Sequence, residues 1–412
     1  MFFLNKKLNY LVRDKEKGKL PFLIALVTFG SIIEVFGLGI LVPISQIIIN
    51  ESLFFQNAFT EKILQKFKII NEENFFIILL SLFVIIYISK TLLLIFTTWY
   101  QTVFSIKFNK KLSNYFYESY IKKDYYSFKD LSGSEFIRNS VLEIDKLTEF
   151  LINNLRLVTE IITLIIIGGF LFVYNFLPSL IVTSLILFFS AIYYVTLRNK
   201  ILKIGTTRQV YENNKIKFLH SAFGGIKDIK MSFSEKYFFN RFSNINKIIA
   251  DLLGRNALYN VLPRYLLELV FICIFCAYLL FIKIFNVNLN NIGALLPMYL
   301  LAFFRLFPSA NKIVTSLQSM RLNKPALDVV YKKIYEYNNL KILEKKEIKN
   351  LKLKNSINIK INKFKYNKNS SFQLKKINIL IKKGNKIGII GPSGSGKSTI
   401  IELLTNILYL KN

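Results

Sequence analysis

Six long apolar runs constrain this chain more than any other feature. They lie at about residues 20–49, 75–100, 156–176, 177–197, 262–286 and 292–308. A helix needs roughly 20 predominantly apolar residues to cross the hydrocarbon of a bilayer, and most of the runs reach that length. The last is shorter and needs help from its flanks. Apolar residues make up 52% of the 412, and the mean hydropathy is +0.38, too oily for a soluble chain of this size. The third and fourth runs are separated only by Asn175 to Pro178, which reads as a tight turn.

The formal net charge of +31 raises the question of nucleic acid. The basic residues are not gathered into one aromatic-laced patch, so nucleic acid is not expected as a partner. They sit in particular loops between the apolar runs. Residues 1–19 hold six Lys/Arg, 101–150 hold eight and 198–261 hold twelve. The alternate loops hold three in 51–74, none between the third and fourth runs, and Lys283. The positive-inside rule then places both termini and the two long loops in the cytoplasm, with six spans through the plasma (inner) membrane. No cleavable signal is expected, since the first apolar stretch is long and lacks a cleavage signature. The only cysteines, Cys273 and Cys276, lie inside an apolar run and read as buried small hydrophobes rather than a redox or metal pair. His220 is the single histidine, which excludes a His-based metal site in this chain.

The two cytoplasmic loops are too long to be connectors. Phe104, Phe108, Leu112, Phe116 and Tyr120 recur at helical spacing, so a solvated helical hairpin projecting from the membrane is expected for each loop. Leu53 to Phe67 reads either as an amphipathic helix on the outer surface or as an ordinary structured loop. Composition shifts after 320, and the expected organisation is a cytoplasmic segment 1–19, a membrane domain 20–320, a linker 321–354 and a further domain 355–412. In that last part Ser356–Tyr366 alternates apolar and polar residues as a half-buried strand does, and Ile377–Ile381 reads as a second strand.

The chemistry is concentrated at Gly391-Pro-Ser-Gly-Ser-Gly-Lys-Ser-Thr399. It matches the phosphate-binding pattern G-x-x-x-x-G-K-[ST] between a strand-like run, Lys386–Ile390, and a helix-like run, Thr399–Leu408. Glycines 391, 394 and 396 let the loop wrap closely, so that backbone N–H groups, including those of Ser393 and Ser395, and the following helix N-terminus face phosphates. Lys397 would reach the β- and γ-phosphates of ATP, and the Ser398 hydroxyl would ligate Mg²⁺, beside Thr399.

In this order, the parts resemble an ABC exporter half-transporter. The fold this implies is mainly α. It is a six-helix transmembrane domain with long cytoplasmic helical loops, plus the first β-strands, phosphate loop and helix of an α/β P-loop NTPase domain. The resemblance makes Lys123–Phe128, with Tyr125 and Tyr126, followed by Gly133–Glu135 and Asp145, the first coupling region. Gly225, Ile226 and Lys227, within Gly225–Lys230, mark the second, where the membrane domain docks on the ATPase. Tyr366 stands where the family places an aromatic that stacks on adenine. Leu262–Tyr265 and Phe304–Lys312 most resemble the PglK-type flippases of lipid-linked oligosaccharides. ATP, Mg²⁺, a lipid-linked substrate, the bilayer and a homodimeric or paired half-transporter partner are implied.

The glutamine loop, signature motif, Walker B strand with its catalytic Glu, and switch His of such ATPases are not found among Ile400–Asn412. The polypeptide alone is therefore expected not to hydrolyse ATP. An exporter of a peptide, drug or other lipid is the alternative, as is a non-functional relic or the first half of a split gene.

Charges inside the spans cost on the order of 3 kcal/mol each on insertion scales and are functional candidates by default. Glu34, Lys90, Glu268 and Arg305 fall there. Lys90 and Arg305, with Glu34, are read as lining a substrate cavity that meets an anionic headgroup, for which the resemblance implies a pyrophosphate-linked glycolipid. The alternative is an internal ion pair, Glu34 with Lys90 or Glu268 with Arg264, or snorkelling near an interface.

Overall fold

The computed structural model describes residues 5–12, 14–49, 72–122, 133–174, 176–284, 296–339, 355–365 and 372–405. The segment Leu53–Phe67, the Lys123–Phe128 part of the first coupling region with Tyr125 and Tyr126, and Tyr366 lie outside the described residues.

Two short helices, α1 (Lys6–Leu11) and α2 (Asp14–Lys17), lead into α3 (Leu20–Ile49). The Asn5 side chain caps α1 by accepting from the Lys7 N–H at 2.9 Å, which satisfies one of the donors a helix start leaves open. Then come α4 (Glu72–Ile121), a short α5 (Gly133–Ile137) and a π-helical turn (Arg138–Glu143). They are followed by α6 (Ile144–Tyr174), α7 (Phe176–Gly224), α8 (Ile226–Met231), α9 (Glu235–Ile284) and α10 (Leu296–Asn339). Six helices of 30 to 50 residues dominate the fold. A 50-residue helix is about 75 Å long, far more than the roughly 30 Å of bilayer hydrocarbon. Such helices must run well out of the membrane, as the long helical loops require.

Among the described residues, four helical stretches are long and apolar enough to cross a bilayer: Leu20–Ile48, Asn74–Ile121, Gly133–Val173 and Thr183–Gly224. They contain or overlap the first four sequence runs. The expected fifth and sixth spans include residues outside those described, and α9 and α10 carry the remainder. Apolar side chains on α4 from Ile77 to Trp99 are largely exposed, the surface expected of a lipid-facing helix. Cys273 and Cys276 are also exposed, contrary to the buried placement expected. They sit on an apolar helix whose outer face is not covered by protein.

The main core lies where the N-terminal segment meets α4, α6 and α10. Phe104, Phe108, Leu112, Phe116 and Tyr120 are all buried, packed with Leu8 and Val12 of the N-terminal segment, Leu147 and Leu151 of α6, and Leu327 and Val330 of α10. The stripe at 104–120 is therefore the inner face of a multi-helix core rather than a solvated surface. Apolar residues spaced four apart make one continuous ridge, and in water that ridge is buried. A second cluster, Leu38, Val42, Ile167, Leu171 and Leu306, joins α3, α6 and α10 within the membrane part.

α10 packs most extensively on α6 and also against α7, while α3 lies against α4 and α6. It runs unbroken past position 320, where the composition changes, and Ile334 and Tyr337 near its end are still buried. Gly205 permits a close crossing of α7 and α10, because a Cβ there would collide with the Leu322 carbonyl oxygen. Among the described residues one sheet is formed, β1 (Ser356–Phe364) antiparallel to β2 (Leu374–Lys382), with Ile361 opposite Ile377. The last helix is α11 (Lys397–Leu404).

Candidate nucleotide site and membrane charge cluster

The phosphate loop forms as its glycines dictate. Gly394 and Gly396 adopt φ of +83° and +94°, a region that side-chain-bearing residues rarely enter. Gly396 is the residue before α11, and a Cβ on it would stand 2.6 Å from Leu374 Cδ2 and 2.8 Å from Phe372 Cζ. The loop is thus pressed against the hairpin that precedes it. The Ile400 N–H donates to the Gly396 carbonyl at 3.0 Å, so helical bonding begins at the loop itself. Lys397 Nζ donates to the carbonyls of Gly391 and Pro392, both at 2.7 Å.

That arrangement fits a nucleotide phosphate chain. An ammonium is tethered at the mouth of the loop, left-handed glycines turn the backbone, and the N–H groups of a helix start face the same place. Ser393, Ser395 and Ser398 are exposed on the loop and at the start of α11. Thr399 is buried.

The run Lys386–Ile390 is not paired in a sheet, although its composition is that of a strand. Ile387, Ile389 and Ile390 are exposed, Ile390 to 97%. So apolar a strand belongs in a parallel sheet covered on both faces, and among the described residues no strand lies beside it. A small cluster of Ile361, Phe364 and Leu374, with Phe372, Ile400 and Leu403, holds hairpin and helix together.

In the membrane part, three candidates from distant stretches of sequence meet. Arg305 Nε of α10 lies 2.8 Å from Glu34 Oε1 and 2.9 Å from Oε2, and Lys90 Nζ of α4 lies 2.6 Å from Oε1. The Glu34 side chain of α3 is 3% exposed. Glu34 therefore bridges two cations, and this trio contains the internal pairing with Lys90 weighed from sequence. The other pairing does not form: Glu268 and Arg264 are exposed on α9, with no ion pair between them among the described residues. Sequence reasoning overlooked a neighbouring pair, Lys312 Nζ to Glu160 Oε1 at 2.9 Å. Its signal was present, since Lys312 follows Arg305 by seven residues, two turns along one helix face.

Elsewhere a polar network ties three helices. Arg208 of α7 donates to Asn323 of α10 at 3.1 Å, Asn323 donates to Glu149 of α6 at 3.1 Å, and Lys146 pairs with Glu212. Gly225, Ile226 and Lys227 form the corner between α7 and α9. Ile226 and Lys227 are exposed there, while Ile229 is buried.

Residues 374–411 match the family model described as ABC transporter. The chain is similar to the multidrug resistance-like ATP-binding protein MdlA of Buchnera aphidicola subsp. Baizongia pistaciae, 42% identical over 74 residues, 18% of this chain and 13% of that protein. It is similar to the nisin transport ATP-binding protein NisT of Lactococcus lactis subsp. lactis, 24% identical over 195 residues, 44% of this chain and 30% of that protein. It is also similar to the alpha-hemolysin translocation ATP-binding protein HlyB of Escherichia coli O157:H7, 42% identical over 64 residues, 15% of this chain and 9% of that protein. These matches span less than a third of each relative's length. The NisT alignment is longer than everything after α10, so it includes part of the helical region. Residues 374–411 thus match part of the ABC transporter family model, on the same chain as helices long and apolar enough to cross a membrane.

Proposed function

We propose that this chain is the membrane and ATP-binding subunit of an ABC exporter-type half-transporter. It crosses the plasma (inner) membrane six times with both ends in the cytoplasm and acts as a homodimer or beside a second half-transporter. Its cargo is a lipid-linked oligosaccharide or related lipid, exported or flipped when ATP drives the dimer between its two accessible forms. The observation that carries this reading is the phosphate loop on one chain with six long helices, four of them with membrane-spanning apolar stretches.

Each part has a task in this scheme. The loop from Gly391 to Thr399 wraps the phosphates, Lys397 exchanges its two carbonyl partners for the β- and γ-phosphates, Ser398 holds Mg²⁺, and Tyr366 stacks on adenine. ATP hydrolysis by a complete ATPase domain would supply the free energy of the cycle. The corner at Gly225–Lys227 and the region of Tyr125 and Tyr126 pass movement between the two domains. The polar network around Arg208 and Asn323 makes α6, α7 and α10 move together. Lys90, Arg305 and Glu34 form the polar part of the cargo path, and their excess of positive charge suits an anionic headgroup.

Nucleotide binding is tested by displacing a fluorescent ATP analogue from the detergent-solubilised chain. Lys397→Ala removes a charge-assisted contact and is expected to weaken ATP by about tenfold or more; unchanged affinity refutes the loop's assignment. Cargo is tested with the complete transporter in proteoliposomes. ATP-dependent movement of a fluorescent polyprenyl-diphosphate oligosaccharide supports the flippase reading. A second reading, a peptide or protein exporter, is favoured by relatives named for nisin transport and alpha-hemolysin translocation. Movement of peptide without glycolipid decides for it.

A further inference from the structure

A cavity of about 290 Å³ lies where the N-terminal segment meets α4 and α10, and none of its lining residues belongs to the phosphate loop or the membrane charge cluster. That volume is at the low end of ligand pockets and admits a small organic molecule. Aromatic side chains line it, Tyr10 from α1 with Phe108 and Tyr115 from α4, beside Ile334 of α10. Hydrogen bonds tie these walls together. The Tyr115 hydroxyl donates to Asn338 Oδ1, and Asn338 Nδ2 donates to the Tyr10 hydroxyl at 2.9 Å.

Two charged residues, Glu16 and Lys111, also line the cavity, and they are held unequally. Lys111 Nζ lies 2.8 Å from Glu16 Oε1, yet the Glu16 side chain is 10% exposed and that of Lys111 63%. The carboxylate is enclosed, whereas the ammonium stands mostly in water at the end of a flexible stem. An ion pair to so exposed a lysine is weak, and the lysine regains its hydration when it swings away. The charge that stays in the cavity is negative. An enclosed carboxylate needs a cation, and aromatic faces attract one through the ring quadrupole. The adjoining corner already shows that chemistry. Lys7 Nζ stands 5.6 Å over the ring of Tyr331, which packs edge-on to Tyr10 at 5.4 Å.

We propose that this cavity binds an organic ammonium, with Glu16 as its counter-ion, the rings of Tyr10, Phe108 and Tyr115 as walls, and Lys111 as the resident ammonium that the ligand displaces. A hard metal ion fits less well, because a single carboxylate and few further oxygens face the space. The ammonium is carried by a free amine or by a phospholipid headgroup, since Glu16 stands four residues before the apolar helix α3. Binding here needs neither ATP nor cargo, so its failure would leave the transport reading untouched. Displacement of Lys111 fixes the sign of the mutational effects. Removing the lysine strengthens binding, and neutralising the carboxylate weakens it.

The test is the unfolding temperature of the full chain in a neutral detergent, titrated with choline, because a ligand that binds only the folded state raises it with concentration. Neohexyl alcohol, the uncharged carbon isostere of choline, is the control, and sodium chloride matches the ionic strength. A rise is expected with choline alone. Lys111→Ala should lower the choline concentration needed by about threefold, the weight of an exposed ion pair. Glu16→Gln should raise it by about tenfold or more, and Tyr10→Leu by about threefold. Lys122→Ala, at an exposed pair with Glu118 away from the cavity, should leave it unchanged. Dihexanoyl phosphatidylcholine acting at lower concentration than choline assigns the site to a lipid headgroup, and acting at no lower concentration assigns it to a free amine. No rise with choline, an equal rise with the alcohol, or Lys111→Ala weakening the response as Glu16→Gln does, overturns the proposal. If Glu16→Gln does not survive extraction, Lys111→Ala and Tyr10→Leu still decide it. Shifts in opposite directions support the ammonium site, and shifts in the same direction refute it.

Discussion

The helical core around the N-terminal segment and the hairpin with its phosphate loop use their apolar residues in opposite ways. In the first, side chains from α1, α4, α6 and α10 converge, and Phe116, Leu147, Leu151 and Leu327 are completely enclosed. In the second, three buried residues anchor a two-stranded sheet, while Ile387, Ile389 and Ile390 stay exposed. The bundle is a tertiary object, stable because distant segments cover one another. The phosphate loop is a local one, shaped by glycine dihedrals and a helix start with little core beneath it.

Five changes would break or sharpen that contrast. The largest effect is expected from Phe116→Ala, which empties a fully enclosed aromatic site and should cost about 3–5 kcal/mol, read as a lowered unfolding temperature in detergent. The matching change in the other region, Ile390→Ala, should cost under about 0.5 kcal/mol because the side chain is already in solvent. Equal losses would show the two regions to be packed alike. Next comes Gly205→Ala, which pushes α7 from the Leu322 carbonyl. A cost of about 1–3 kcal/mol is expected, and a neutral result would mean the helices cross less closely.

Gly396→Ala should follow at about 1–2 kcal/mol, the cost of a left-handed dihedral for a residue with a Cβ. The loss should appear as weaker ATP binding, with the bundle's unfolding temperature unmoved. A drop in both would mean that loop and bundle are energetically coupled rather than independent.

The smallest effect concerns pH at the α8–α9 corner. Glu235, in the first turn of α9, is held below the usual carboxylate range by its own backbone N–H and by Lys230, whose Nζ is 3.0 Å away. A depressed folded-state pKa means that the stabilisation is complete above the ordinary Glu value and is lost as pH falls through the lowered one. Glu235→Gln should slightly speed amide exchange around Ser234–Phe239 at pH 7, and the difference should vanish in acid. A difference that persists at low pH would assign the effect to packing.

Much of this is legible in the sequence, and for particular reasons. Apolar runs of bilayer length survive as helices because every backbone bond in a helix is satisfied within a few residues, whatever surrounds it. The stripe Phe104–Tyr120 announces its helix, yet its four-residue spacing does not say what covers it. The loop from Gly391 to Lys397 is readable as a motif because its function lies in backbone conformation. The run Lys386–Ile390 has the composition of a strand without forming one, because a strand, unlike a helix, borrows its hydrogen bonds from neighbours.

The sequence by itself determined the helical membrane architecture, the loop and the presence of charges inside apolar runs. Only the tertiary structure decided that Glu34 meets both Lys90 and Arg305, 56 and 271 residues away along the chain, and that Lys312 has a partner in Glu160. Hydrophobic period and turn chemistry act over a few residues, whereas ion pairing is set by which helix faces dock, and no local pattern encodes that.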